Sequence, residues 1–425
     1  MRRRQFLGSL AAASAVGTVA TLNACSGKSD TSSNGTVNLT FRQFDPPTEI
    51  AGLKKVVKAW NDTHPKIQVK LETLAGSADY AQQFAREANS GSGPDVVHLG
   101  YVNVKDLAKP KILLPVSELA EKSAPDTPID QFLALDMNRF DDKVWALPWT
   151  VDTFAMAYNK KTMDKAGLKP PTSWPELLST ATKLGKSGTV GFAFAGASNP
   201  DAGQWFAINY YLWSNGISLI SNESGNWAPG ATAEQFSSAM KFFNSFFTSG
   251  ATPKSMVSVD SINDPQIVAG LADGTTAMTM MAPQTVRQAR DTSTEVVTAV
   301  MPDGLTDGST HLGGRSLGIN AATDHPDEAW EFVKYLNTAK AFADIPQYPA
   351  ATTVLDKVDA PDGEEGFQKQ LPHSRSFARY IDGPVPVDTL QKLSCAAFGA
   401  VYSGQKTANQ SAAELVDSIA AAIKG

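Results

Sequence analysis

Gly314, Arg315, Ser316, Leu317 and Gly318 follow the G-x-S-x-G order of a nucleophile elbow, with Asp324, His325 and His373 downstream in an order that a hydrolytic triad can use. The chemistry would be acyl transfer by an exported serine hydrolase. An elbow, however, needs a strand that ends at the serine and a helix that starts directly after it. From Ser316 onward "SLGINAAT" reads as a strand that is beginning, so catalysis by Ser316 stands as the alternative. His64, His98 and His311 are scattered, and no HExxH, CxxC or P-loop occurs. Metal and nucleotide chemistry have no visible seat. The main reading is therefore a protein that is not an enzyme and needs no cofactor.

Cys25, one of only two cysteines, closes the first hydrophobic run. Residues 1–24 open with Arg2, Arg3 and Arg4 and pass through an Ala/Val/Leu/Gly-rich run to small residues, the layout of an export signal. The run falls short of the roughly 20 apolar residues that a membrane span requires. Arg3 to Leu7 resembles a twin-arginine motif, and Leu22-Asn23-Ala24-Cys25 resembles a bacterial lipobox. On this reading Cys25 is acylated and becomes the mature N-terminus, residues 25–36 form a flexible tether, and lipid holds the protein to the outer face of the bacterial cell membrane. The plainer alternative is a cysteine that merely trails a signal. Cys395 is then a lone thiol, best read as a small buried hydrophobe.

Without the signal, 34 basic residues face 43 acidic ones, a net charge of -9 against -6 for the full chain. That balance argues against nucleic acid, which needs concentrated Lys and Arg facing phosphates. With 42% hydrophobic and 19% charged residues, a packed globular body is expected. A processed length of about 400 residues predicts two or three domains, or one large two-lobed unit.

The body opens with a strand, helix and strand. "VNLTF" (37–41) alternates, Ile50, Leu53, Val56, Val57 and Trp60 line one face of a helix over 47–63, and "IQVKL" (67–71) alternates again after Pro65. Such βαβ units predict a mainly parallel sheet covered by helices. A second set follows residue 150: strand 153–158, a helix opened by a Ser173/Glu176 capping box, and a helix lined by Phe236, Met240, Phe243 and Phe247 that ends at Gly250. Strands are read at 276–281, 295–300 and 316–320. A helix starting at Pro326 buries Trp330. Two α/β lobes are the economical architecture, with ligand beyond the carboxyl ends of the strands.

Four stretches, in order, resemble the carbohydrate-binding cluster of extracellular solute-binding proteins of ABC importers, the maltose-binding-protein-like family 1. They are "SGSGPDVVHLGYVNVKDLAKPKILLPV", "VWALPWTVDTFAMAYNKKTMDKAGLKPPTSWPEL", "LADGTTAMTMMAPQ" and "HLGGRSLGINAATDHPDEAWEFVKYL". The last 80 residues, with "RSFARYIDGPVP", match only loosely.

The resemblance implies a two-lobed periplasmic-binding-protein-like fold (Venus flytrap) with hinge crossovers near 147–151, 302–305 and 346–352. Lobe 1 would comprise 37–148 plus 303–347, and lobe 2 would comprise 149–302 plus 348–425. It further implies a sugar held by aromatic faces and short polar groups. The candidates are Phe44, Asp45, Tyr101, Trp149, Asp152, Trp205, Gln284, Gly313, Gly314 and Arg315. Asp152 stands where the maltose-binding cluster carries a ligand-binding acid. Gln284 stands where relatives often carry tryptophan, which removes one stacking platform. Gly313 and Gly314 permit close backbone approach, and Arg315 offers a planar fork of donors. Core packing is the competing role for each aromatic, and a structural ion pair for Arg315. The implied partners are a carbohydrate and permease subunits, with the chain itself a monomer. A glycerophosphodiester or other small polar solute is the alternative ligand.

Overall fold

Val37–Gln43 and Ile67–Thr73, the alternating segments on either side of helix Pro47–Thr63, pair in parallel from Val37 opposite Ile67 to Gln43 opposite Thr73. The helix is the crossover that parallel pairing requires. It buries Leu53, Val56, Val57 and Trp60, the stripe legible in the sequence. The structure, a computed structural model, describes residues 35–44, 47–74, 80–122, 129–199, 203–306, 309–375 and 377–425. The export signal, Cys25 and Asp45 lie outside the described residues.

Val96–Gly100 adds to the other side of the first strand in parallel. Beyond it the pairing turns antiparallel, through Gly313–Ile319, Ala146–Asp152 and Tyr348–Pro349, to complete a six-stranded sheet. A second sheet is centred on Ala155–Asn159, flanked antiparallel by Met278–Met281 and Val296–Ala299. Parallel bridges from Val190 and Ala193 to Thr276 and Thr279 extend it. The mainly parallel expectation is thus right only for the first three strands. In the first sheet Gly313–Ile319, the segment returning from the second lobe, and Tyr348–Pro349 run opposite to these three, so Ala146–Asp152, which runs with them, has only antiparallel neighbours.

The protein is two-lobed. Its chain leaves the first sheet at Asp152 and enters the second at Ala155, returns between Ala299 and Gly313, and leaves again after Tyr348–Pro349. Because Ala146–Asp152 is the penultimate strand of one sheet and continues almost directly into the centre of the other, residues near 152 sit where the lobes meet. The second lobe is filled by Phe192, Phe194, Phe236, Phe243 and Phe246, all fully buried. Helices Val387–Tyr402 and Ala408–Lys424 cover it, the latter opened by a Thr407/Gln410 capping box. The box expected at Ser173 forms only in half. Ser173 accepts from the Glu176 N–H, while the Glu176 carboxylate reaches past it to the Thr172 N–H and hydroxyl. Cys395 is buried on Val387–Tyr402, and burial pushes its thiol pKa up to about 12.

Candidate functional site

Asp152, Gln284 and Arg315 come together around one cavity of about 120 Å³ where the lobes meet. Asp152 ends the crossing strand, Arg315 lies on the strand beside it, and Gln284 is on helix Pro283–Arg290 of the second lobe. Gln347 and Tyr348 of the third crossover close the same space.

The Asp152 side chain is 40% exposed, and its Oδ1 lies 3.8 Å from Nε2 of His311. The other His311 nitrogen is 2.6 Å from the Tyr210 hydroxyl. Burial lowers the His311 pKa, while the Asp152 charge pulls it back up. A neutral ring with its proton on Nε2 lets the Tyr210 hydroxyl donate to Nδ1 and turns an N–H toward Asp152, whose oxygens keep acceptor capacity to spare.

Arg315 is held differently. Its guanidinium sits 5.2 Å from the centre of the Phe44 ring, which stacks on His98 at 4.9 Å and 21°. Nη1 donates to the Gly314 carbonyl at 3.1 Å, and Nε is buried with no hydrogen-bond partner. Burial, with a further push from Arg315, holds the His98 pKa well below its usual value, so a neutral ring backs the stack. Arg287 also lines the cavity but is already engaged, with two 2.8 Å bonds to Glu364 and another to the Pro346 carbonyl. Glu364 is almost wholly buried and accepts from the Tyr348 hydroxyl at 3.1 Å as well. This network ties the Gln284 helix to the third crossover.

The paired glycines serve the strand contact. Gly314 has φ +136°, and a Cβ there would lie 2.0 Å from the Thr150 carbonyl oxygen. That oxygen accepts from the Tyr101 hydroxyl at 2.6 Å, so Tyr101 is a buried strut between helix and strand. A Cβ on Gly313 would meet the Asp152 Oδ1 at 2.1 Å.

Trp149 and Trp205 are not walls of this cavity. Trp149 is 1% exposed, donates its indole N–H to Leu336, and packs edge-on to Phe41. Trp205 is 4% exposed and stacks on Phe377 at 5.8 Å. Three half-buried aromatics outside the sequence candidates gather about His311, the ring that faces Asp152. Phe154 and Phe206 lie 4.7 Å apart and each packs about His311, joined there by Phe377 at 5.7 Å. Phe154 was available from spacing alone, since it is two residues beyond Asp152 in extended chain and so shares its face. Phe206 was not, because helix Gln204–Ser214 is apolar all round and periodicity cannot phase it.

Ser316 is fully buried within Gly313–Ile319, donating to Asn138 Oδ1. No strand-to-helix turn exists there, which removes the elbow geometry. Among the described residues, no group of three or more His, Cys, Asp or Glu could hold a metal, and no helix is long and apolar enough to cross a membrane. The lobes touch a second time where Lys105, on Tyr101–Ala108, pairs with Asp382. The Asp382 segment is anchored to the second lobe by Tyr380, whose hydroxyl donates to Asn209 and accepts from Trp213 and the Leu219 N–H.

Known proteins share this architecture. The family described as bacterial extracellular solute-binding protein matches residues 45–341. A multiple sugar-binding protein of Streptococcus mutans is 25% identical over 361 residues, covering 79% of this chain and 80% of its own length. The GacH receptor of Streptomyces glaucescens, solved unliganded and with acarbose, superposes with TM-score 0.71 at 22% identity, over 92% of this chain and 99% of that one. A cyclo/maltodextrin-binding protein complexed with maltotetraose gives TM-score 0.73 at 18% identity, over 91% and 98%.

Proposed function

Because the chain belongs to the bacterial extracellular solute-binding protein family, we propose that it is a lipid-tethered receptor that binds a carbohydrate between its lobes and delivers it to an ABC transporter permease. The observation that carries the ligand class is the convergence of Asp152 and Arg315 from one lobe and Gln284 from the other around one cavity, with half-buried Phe154, Phe206 and Phe377 gathered about His311, the ring that faces Asp152. A pyranose presents apolar C–H faces and a rim of hydroxyls, and needs that combination of rings and short polar groups. The names of the relatives, which bind sugars or maltodextrins, point the same way.

The mechanism is closure. Contacts drawn from both lobes are complete only when the lobes approach, so ligand favours the closed form by the difference in contacts between the two states. The lobes built on the two sheets would move about the three crossovers as a monomer. Cys25 acylation would keep the receptor beside its permease. A cavity of about 120 Å³ is below the roughly 300–1,000 Å³ of ligand pockets in general, so it supplies one subsite of a larger cleft.

Thermal shift across mono-, di- and trisaccharides tests the reading. A ligand at 100 times its Kd stabilises the native state by about 2.7 kcal/mol, several degrees for a chain of this size. Asp152→Asn removes a charge-assisted acceptor of about 1.5–3 kcal/mol, an affinity loss of about 10- to 150-fold with the unliganded melting point unchanged. A panel in which no carbohydrate shifts the melting point refutes the proposal. Cys25→Ala should move the protein from the membrane fraction to the soluble one.

A further inference from the structure

The cavity is not electrically even. Arg287 is neutralised by Glu364, whereas no carboxylate of a described residue comes within 4.0 Å of the Arg315 guanidinium. Arg315 is also not free to swing away. The Phe44–His98 stack carries its plane and the Gly314 carbonyl holds Nη1, while Nε remains buried without an acceptor. A buried charged donor that stays unpaired is costly, and a guanidinium fork matches two oxygens in one plane. The wall opposite leans the same way. Helix Pro283–Arg290 begins there on Ala282, with no side-chain cap and no acid in its first turn. Its positive end therefore faces the cavity uncompensated.

Building on the sugar-receptor reading, we propose that this subsite takes a sugar acid, a pyranose bearing a carboxylate, with the carboxylate on Arg315 and ring hydroxyls on Asp152. A neutral sugar would satisfy Asp152 but offer Arg315 only hydroxyl lone pairs. A cationic ligand would meet Arg315 with like charge. A glycerophosphodiester would suit Arg315 and also offer Asp152 its glycerol hydroxyls, so titration separates it from a sugar acid. The small volume places the acid and hydroxyl ends on one sugar residue.

Calorimetric titration of the protein with glucuronate, galacturonate and digalacturonate, each beside its uncharged amide of the same shape, tests this. The acid should bind at least tenfold more tightly than its amide. Arg315→Gln should bring that ratio close to one, and Arg315→Lys, which keeps the charge without the fork, should retain part of it. The wild-type ratio needs no variant, so a poorly folding Arg315→Gln does not blunt the test. An amide or neutral parent sugar that binds as well as the acid overturns the proposal and leaves the sugar reading standing. Binding of glycerol 3-phosphate or a glycerophosphodiester, with no sugar of either kind bound, overturns both. Binding of nothing in the panel overturns the sugar-acid proposal alone, and the sugar reading then rests on the wider thermal-shift panel.

Discussion

Adjacent glycines with opposite duties give the sharpest test of how this site is built. Gly314 has φ +136°, and the atom its Cβ would strike, the Thr150 carbonyl oxygen at 2.0 Å, belongs to the neighbouring strand's backbone. Alanine there adds backbone strain of about 1–3 kcal/mol. Pushing the crossing strand aside, away from the Tyr101 hydroxyl, adds about 1–3 kcal/mol more. A total of about 2–6 kcal/mol corresponds to a fall in Tm of about 2–7 °C for a chain of this size. Gly313 is not in the left-handed region, and its Cβ would meet the Asp152 Oδ1 at 2.1 Å, the end of a side chain 40% exposed. That carboxylate can swing out, so Gly313→Ala should cost under about 1 kcal/mol of stability. It should nevertheless weaken sugar binding by tenfold or more, because an acceptor of about 1.5 kcal/mol or better has been displaced. Scanning calorimetry and titration with the same sugar separate the outcomes. A Gly314→Ala protein that melts with the wild type, or a Gly313→Ala protein that binds normally, would refute the geometry.

Stability should fall between pH 6.5 and 5.5, because the buried His98 and His311 have folded pKa values below 6.5, so the unfolded chain takes up protons first. The loss approaches about 1.4 kcal/mol at pH 5.5 for each ring that stays neutral, and denaturant titrations at pH 7.5 and 5.5 measure it. Ser316→Ala should cost about 1–3 kcal/mol by stranding the Asn138 acceptor, and a fluorophosphonate should not label the native protein; labelling at Ser316 would restore the hydrolase alternative. Lys105→Gln removes an interlobe ion pair with side chains 34% and 55% exposed, worth at most about 1 kcal/mol. It should enlarge the unliganded radius of gyration in solution scattering and weaken ligand binding no more than about fivefold. An unchanged scattering curve would show that the pair does not bias closure.

The elements of the first lobe were legible because they are set locally. Alternation at 37–41 and 67–71, the apolar stripe of 47–63 and Pro326 ahead of Trp330 each place a short segment without reference to distant residues, and the observed bounds differ by a few residues at most. Asp152, Gln284 and Arg315 could be named from motifs of the crossing strand, the "AM" strand and the Gly-Gly strand. Their meeting could not be derived, since it joins Asp152 to residues more than 130 positions away.

The aromatics show where local reasoning stops. Residue type marks Trp149, Trp205 and Phe154 alike as rings beside the crossover, yet the two tryptophans are packed into the lobes and Phe154 is left half-buried near Asp152. What distinguishes them is which neighbours cover each ring, a property of helices and strands about 50 to 190 residues away. The same holds for Arg287, neutralised by Glu364 from beyond the third crossover, and for Arg315, which has no such acid. Periodicity and motif order, being short-range, determined the elements and the family. Burial and charge pairing are long-range sums over the packed chain, and only the tertiary structure decided which polar groups still have a bond to offer a ligand.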